Sequence, residues 1–340
     1  MVADSPVNLG IIGCGLAANE LHWPALRSLK DLFIVRAVCN HTPEKARRFA
    51  VAVGTEYGTK IPFVTDYREL VQRQDITAVS ILLPIELNVE VSTAATSAGK
   101  HVLLEKPLAA DRRSGAQLLE LERAHPELTM MVAEHFRYRA EFVALREAVL
   151  SGRIGIPHSV ECVNWEHIDP ATNPYAQTQW RINHVYEGGF VTDAGIHYIA
   201  ALRDLVGDLD ILASVTQQTN PSIGRMDSLL ALFHSSGRAG IPPMSGVLDL
   251  DYSAPGARTG RLGVRGAEGR VVLEGSILTA YGPTPDSKEI IPISSKDEGY
   301  AAEYEDFHRA ITTGGRPVST LEQAYADLDT MLTALEVGSR

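Results

Sequence analysis

Along the first 135 residues the apolar period switches repeatedly. Short apolar runs at 7–12, 34–38, 78–83, 99–104 and 129–133 have the length and β-branched content of buried strands. Between them, 42–53, 67–72, 87–98 and 111–124 have helical composition, with Thr42-Pro43 and Asp111 placed to start two of the helices. Strands alternating with helices predict a doubly wound parallel sheet, a Rossmann fold, over 1–135.

From residue 136 the pattern differs. After an amphipathic helix at 142–150, extended stretches follow at 157–165, 211–217, 229–233, 246–252, 260–264, 270–273, 277–281 and 290–293, separated by Gly and Pro. They predict a second α/β domain over 136–340 built on a large open mixed or antiparallel sheet, closed by helices at 303–312 and 320–337. An open sheet with one face bare of helices needs cover, so a homo-oligomer, dimer or tetramer, is expected.

Length fits this division, since 340 residues exceed one comfortable core. A hydrophobic content of 45% with 21% charged residues is that of an ordinary globular protein. The net charge of −11 argues against nucleic acid or an anionic membrane as partner. Cys14, Cys39 and Cys162 form no CxxC pair, so neither a disulfide framework nor a metal site is expected. The opening residues 1–8 have no leader pattern and no run has membrane-spanning length, so the expected location is the cytoplasm.

Three stretches carry candidate chemistry. Strand 7–12 runs into Gly13-Cys14-Gly15-Leu16-Ala17-Ala18, a G-x-G-x-x-A turn that lets backbone approach a pyrophosphate at a helix N-terminus. The second strand ends at Asn40, where NAD-binding folds place an acid against the ribose. Asn40 cannot repel a 2′-phosphate, and His41, Lys45, Arg47 and Arg48 follow it, so the cofactor choice leans from NAD(H) toward NADP(H). Glu105-Lys106-Pro107 ends the strand at 99–104, at the sheet edge where such folds bind ligands, and a lysine charge there is costly without a task. Candidate cofactor positions are Ile12, Gly13, Cys14, Gly15, Leu16, Ala17, Asn40, His41, Lys45, Leu83, Pro84, Asn88, Glu105 and Lys106. The third stretch is Trp180-Arg181 followed by Gly188-Gly189-x-x-x-Asp193-x-Gly195-x-His197, with Asp193 and His197 one helical turn apart. Taken alone, Asp193 is also explained by the helix dipole and His197 as an ordinary partly buried ring.

Together, Gly13-x-Gly15-x-x-Ala18, the Ala98-Gly99-Lys100-His101-Val102-x-x-Glu105-Lys106-Pro107 segment and the Gly188 to His197 motif resemble the glucose-fructose oxidoreductase, inositol dehydrogenase and MocA-like family over nearly the whole chain. The resemblance implies a nicotinamide cofactor, an open sheet used for oligomer contacts, and oxidation or reduction of a carbinol on a sugar, cyclitol or related polyol. It also implies that Lys106 is the active-site lysine, His197 the acid/base and Asp193 its companion. Arg137, Tyr138, Trp180 and Arg181 are candidate substrate contacts, each with packing as its alternative. The chain departs from the family at Pro84-Ile85-Glu86-Leu87-Asn88, where Pro-Asn-x-x-His is frequent, and at Glu187, where a third glycine is frequent. A regulatory relative that binds cofactor without turnover, or an enzyme that retains NAD for cyclic redox chemistry, shares the same resemblance.

Overall fold

The computed structural model describes residues 6–256, 258–284, 286–293 and 298–339, so the leader reading at 1–5 lies outside the described residues. The chain forms two units, 1–135 with 299–325 and 136–298 with 326–340.

The first unit contains β1 (Val7–Ile12), α1 (Trp23–Ser28), β2 (Phe33–Cys39), α2 (Pro43–Tyr57), β3 (Phe63–Val64), α3 (Tyr67–Val71), β4 (Ala78–Ile81), α4 (Asn88–Ser97), β5 (His101–Glu105), α5 (Arg112–Ala124) and β6 (Met130–Ala133). Its six strands pair in parallel in the order β3-β2-β1-β4-β5-β6, and the connections reverse direction between β1 and β4. Such a reversal opens a crevice at the carboxyl edge. The strands are apolar because both faces are covered; β4 and β6 have no exposed residue. Asp111 caps α5 by accepting from Ser114 N at 2.7 Å, whereas Thr42 precedes α2 without a side-chain cap. The two-residue β3 is too short for a periodic signal and is absent from the sequence reading.

The second unit contains α6 (Ala140–Leu150), β7 (Pro157–Trp165), α7 (Gln179–Ile182), α8 (Phe190–Val206), β8 (Leu209–Gln217), β9 (Ser228–Ser235), β10 (Ser245–Asp251), β11 (Thr259–Gly266), β12 (Arg270–Glu274), β13 (Ile277–Tyr281) and β14 (Lys288–Ile291). Its eight strands run in the order β14-β13-β12-β11-β7-β10-β9-β8, antiparallel except where β7 meets β10. On β9, Leu229, Ala231 and Phe233 point into the core, while Leu230 and Leu232 are exposed, as are Leu212 and Val215 on β8.

The chain ends in α9 (Tyr300–Thr313) and α10 (Leu321–Gly338). The sequence reading puts both in the second domain. Instead α9 belongs to the first unit: Tyr304 and Phe307 are fully buried, with ring centroids 5.5 Å and 6.4 Å from that of Phe33 on β2. α10 passes from the first unit into the second at residue 326. No helix among the described residues is long and apolar enough to cross a membrane.

Candidate active site

In the first unit the glycine turn follows β1. Gly13 has φ of 104°, and a Cβ there would lie 2.1 Å from the Leu82 carbonyl oxygen after β4, so only glycine lets the turn seat at the switch point. Gly13 N–H donates to Cys39 O at 2.8 Å and Cys14 N–H to Asn40 Oδ1 at 3.0 Å. Cys14 N is thereby engaged within the protein, and the start of the helical turn at Gly15, Leu16 and Ala17 is the part with free space: nothing lies within 4 Å of where a Gly15 Cβ would be. These residues fit a dinucleotide phosphate, whose oxygens would meet the helix-opening amides. The helical run at 16–28 contains a π turn at Ala18–His22, closed by Trp23 N–H to Ala18 O, because Pro24 has no N–H to continue the regular ladder. Burial pushes the Cys14 and Cys39 thiols up to about 12, with the Cys39 thiol adding to the shift at Cys14 and Asp66 to that at Cys39.

The Asn40 amide is also fixed internally, with Nδ2 donating to Thr42 O at 3.4 Å, while His41 and Lys45 are exposed beside it. Ile12 is buried beneath the turn. Leu83 and Pro84 continue from β4 at the same edge.

Lys106 directly follows β5. Its backbone N–H donates to Glu105 Oε2 at 2.9 Å, and Glu105 Oε1 lies 2.6 Å from His22 Nε2. His22, fully buried, meets Tyr304 Oη through Nδ1 at 3.0 Å, and Tyr304 Oη lies 3.0 Å from Ser80 Oγ. With the ring proton on Nε2 the donors run one way, from Ser80 to Tyr304 to His22 to the Glu105 carboxylate. Neither His22 nor Tyr304 is a candidate from sequence, because the pair stands 282 residues apart. Asn88 needs a correction as a cofactor contact. It is fully buried, and its Nδ2 donates to the carbonyls of Glu105, Pro107 and Leu108 at 3.2, 3.2 and 3.1 Å, bracing the turn that carries Lys106.

In the second unit, the first turns of α8 present Asp193 and His197. Asp193 is buried, and its Oδ2 accepts from Arg181 Nε at 2.6 Å. The Arg181 guanidinium lies over the rings of Trp180 and Tyr175, 4.1 Å and 5.2 Å from their centroids, which fixes the plane of the fork. His197 stacks on Phe136 with centroids 4.6 Å apart and planes 15° from parallel. Gly195 lets α8 approach β10, since a Cβ there would fall 2.6 Å from Leu250 Cδ1. Tyr252, after β10, is 1% exposed, and its hydroxyl has no hydrogen-bond partner among the described residues; it lies 3.6 Å from that same Cβ position. Arg137 is corrected as a substrate contact: it is buried, with Nη2 2.5 Å from Asp327 Oδ2 in a cluster that includes Arg203. Tyr138 lies partly buried in the turn before α6. No group of three or more His, Cys, Asp or Glu among the described residues is arranged to hold a metal ion.

The glycine turn and Lys106 thus share one sheet edge of the first unit, and Asp193 and His197 share one helix face in the second. Residues 7–133 match the family model described as "Oxidoreductase family, NAD-binding Rossmann fold", and 142–272 match "GFO/IDH/MocA C-terminal domain". The chain belongs to the Gfo/Idh/MocA oxidoreductase family. The crystal structure of an oxidoreductase from Thermotoga maritima is similar at 30% identity and a TM-score of 0.87, covering 98% of this chain and 97% of that one. An uncharacterised protein of Saccharomyces cerevisiae is 30% identical over 67% of this chain and 63% of its own length, so less than two thirds of that relative is spanned. The dTDP-3,4-didehydro-2,6-dideoxy-alpha-D-glucose 3-reductase of Saccharopolyspora spinosa is 26% identical over 92% of this chain and 88% of its own.

Proposed function

We propose that the protein transfers a hydride between NADP(H) and a carbinol or ketone of a sugar, cyclitol or related polyol. The observation that carries this reading is Lys106, placed at the carboxyl end of β5 on the same sheet edge as the Gly13 turn and held there through Glu105. The sugar-like substrate is supported by the Saccharopolyspora relative, whose name describes a reductase acting on a nucleotide-linked sugar. When bound, the cofactor supplies the hydride chemistry. The Lys106 ammonium stabilises negative charge developing on the substrate oxygen. The His197 imidazole exchanges the hydroxyl proton, and Asp193, held by Arg181, orients the ring or a neighbouring substrate hydroxyl. Trp180 and Arg181 would frame the substrate. NADP(H) is favoured because Asn40 is uncharged and turned inward, with His41 and Lys45 exposed to meet a 2′-phosphate. Exposed Leu212, Val215, Leu230 and Leu232 support a dimer or tetramer formed through the second sheet, which light scattering tests.

The test is the near-ultraviolet absorbance of reduced nicotinamide, with NAD and NADP separately and a panel of aldoses, inositols and keto-sugars in both directions. Turnover that disappears in His197→Ala is expected. Turnover that His197→Ala leaves intact would reject the acid/base assignment, and silence across the panel would reject the substrate class.

A further inference from the structure

The proposed reaction gives His22 no task, although His22 joins the two stretches of the first unit that carry the chemistry. On its amino side it ends the π turn Ala18–His22, which follows the glycine turn. Asn19, on the same π turn, grips the glycine turn: its Nδ2 donates to Gly15 O at 2.7 Å and to Cys14 O at 3.2 Å, and its N–H donates to Gly15 O at 3.2 Å. These carbonyls belong to the same planar peptide units as the N–H groups of Gly15 and Leu16. A ligand that draws on those amides therefore turns the groups that Asn19 holds. Ala18 and His22 are fully buried while Asn19 and Glu20 are exposed, so the turn presents His22 inward, toward the end of β5.

On its other side His22 reaches the turn of Lys106 through Glu105. The Glu105 carboxylate folds back so that Oε2 accepts the N–H of Lys106 at 2.9 Å. Such a carboxylate swings about its own side-chain torsions unless its second oxygen is held, and His22 Nε2 holds Oε1 at 2.6 Å. The ring is fixed in turn by Tyr304 Oη, 3.0 Å from Nδ1. Asn88 binds the carbonyls of Glu105, Pro107 and Leu108 and so fixes the acceptor side of the turn, while His22 with Glu105 fixes its donor side. An apolar side chain at 22 would fill the buried space at less cost than an imidazole with two polar partners. The polar pair is present where it ends on the amide of the residue that carries the reacting charge.

One continuous series therefore runs from Cys14 O and Gly15 O through Asn19, the π turn and His22 to Glu105 and the Lys106 amide. We infer that His22 is a positioning residue that ties the glycine turn to the lysine turn, so that a diphosphate seated at Gly15 to Ala17 sets the orientation of Lys106. The inference rests on the phosphate seat and the role of Lys106 given above. By linkage, filling the seat and placing the lysine favour each other to the same extent. Lys106 then takes its working orientation in the loaded state, when a substrate oxygen has a hydride donor beside it.

NMR of the full chain with lysine labelled at Cε with carbon-13 tests this, since the chain has seven lysines and Lys106→Arg identifies the signal of interest. ADP is the probe: its diphosphate fits the seat at Gly15 to Ala17, and it has no nicotinamide to touch Lys106. Saturating ADP should shift the Lys106 signal in the unaltered chain. His22→Leu should still bind ADP by calorimetry and lose the shift, and His22→Gln, which keeps an amide donor in the place of Nε2, should restore it. Glu105→Ala cuts the same link from the other side without leaving a buried charge, and should also lose the shift, which decides the question should His22→Leu fail to fold. Turnover should follow, with kcat about tenfold lower in His22→Leu, as for a displaced reacting group, and recovered in His22→Gln. An undiminished ADP shift in His22→Leu or Glu105→Ala overturns the proposal, as does no shift in the unaltered chain at saturating ADP. A loss in His22→Gln equal to that in His22→Leu overturns it too, by making the site one of packing. A silent absorbance assay rejects the oxidoreductase reading instead, and the Lys106 shift still decides this one.

Discussion

The surroundings of Lys106 and of Asp193 partner their polar groups differently, although Asn88 Oδ1, beside the Lys106 turn, also lacks a partner among the described residues. Near Lys106, Ser80, Tyr304, His22 and Glu105 bond to one another in a buried series ending on the Lys106 amide. Near Asp193, Tyr252 Oη is buried and has no partner among the described residues. Under the proposed function, the first arrangement holds Lys106 still for a step common to all substrates, and the second leaves a hydroxyl for the substrate itself.

The sharpest way to break this contrast is to remove the group the series positions. Lys106→Ala should lower kcat by about a thousandfold, as expected for loss of a charge that stabilises an alkoxide, while reduced-cofactor fluorescence still reports binding. Loss of cofactor binding together with turnover would instead make Lys106 part of the cofactor cradle.

Next is the glycine turn. Gly13→Ala should destabilise the protein by about 3 kcal/mol or more, through strained φ and a clash with backbone. Gly15→Ala meets nothing within 4 Å and should cost less than about 1 kcal/mol of stability while weakening cofactor binding. Denaturant midpoints and cofactor titration separate the two. Equal loss of stability at both positions would mean that the free space at Gly15 is structural.

The same substitution in the two regions compares them directly. Tyr304→Phe removes a hydroxyl that bonds both His22 and Ser80, and should cost about 1–2 kcal/mol. Tyr252→Phe removes a buried hydroxyl with no partner among the described residues and should raise stability by about 1 kcal/mol. If that hydroxyl serves substrate, kcat/KM falls about tenfold, one charge-free hydrogen bond's worth. A Tyr252→Phe protein as destabilised as Tyr304→Phe would remove the basis of the contrast.

What the sequence reveals follows the same division. The sheet, its order of strands and helices, the Gly13 turn and the edge lysine depend on residues a few positions apart, so spacing alone exposes them. The roles of His22 and Arg137 depend on partners 282 and 190 residues away, and no local pattern announces a contact of that kind. Asn88 illustrates the intermediate case. A polar residue at a helix start near the sheet edge reads as a ligand contact, and only the three carbonyls it meets show that it braces the turn. α9 reads as part of the second domain because it follows that domain in the chain, although its aromatic face belongs on Phe33.

The smallest effect concerns His101, at the start of β5. Its Nδ1 accepts from Thr129 N–H at 2.8 Å, a bond only the neutral ring can make, and burial lowers its pKa from the ordinary 6.5. The unfolded chain therefore takes up this proton first. Below pH 6.5 the unfolded state holds more protons than the folded one, so stability falls as pH drops from that value toward the depressed folded pKa, and is unaffected by this group above it. His101→Gln should flatten that part of the pH dependence. Trp23 is in the first unit, and Trp165 and Trp180 are in the second. Urea melts of a chain carrying Trp165→Phe and Trp180→Phe therefore report the first unit, and those of a Trp23→Phe chain report the second. An acid shift of the midpoint seen by Trp23, and reduced by His101→Gln, is expected. An equal shift at both reporters, untouched by His101→Gln, would assign the acid sensitivity to groups outside the Lys106 region and remove titration as a distinguishing property of its fixed polar bonds.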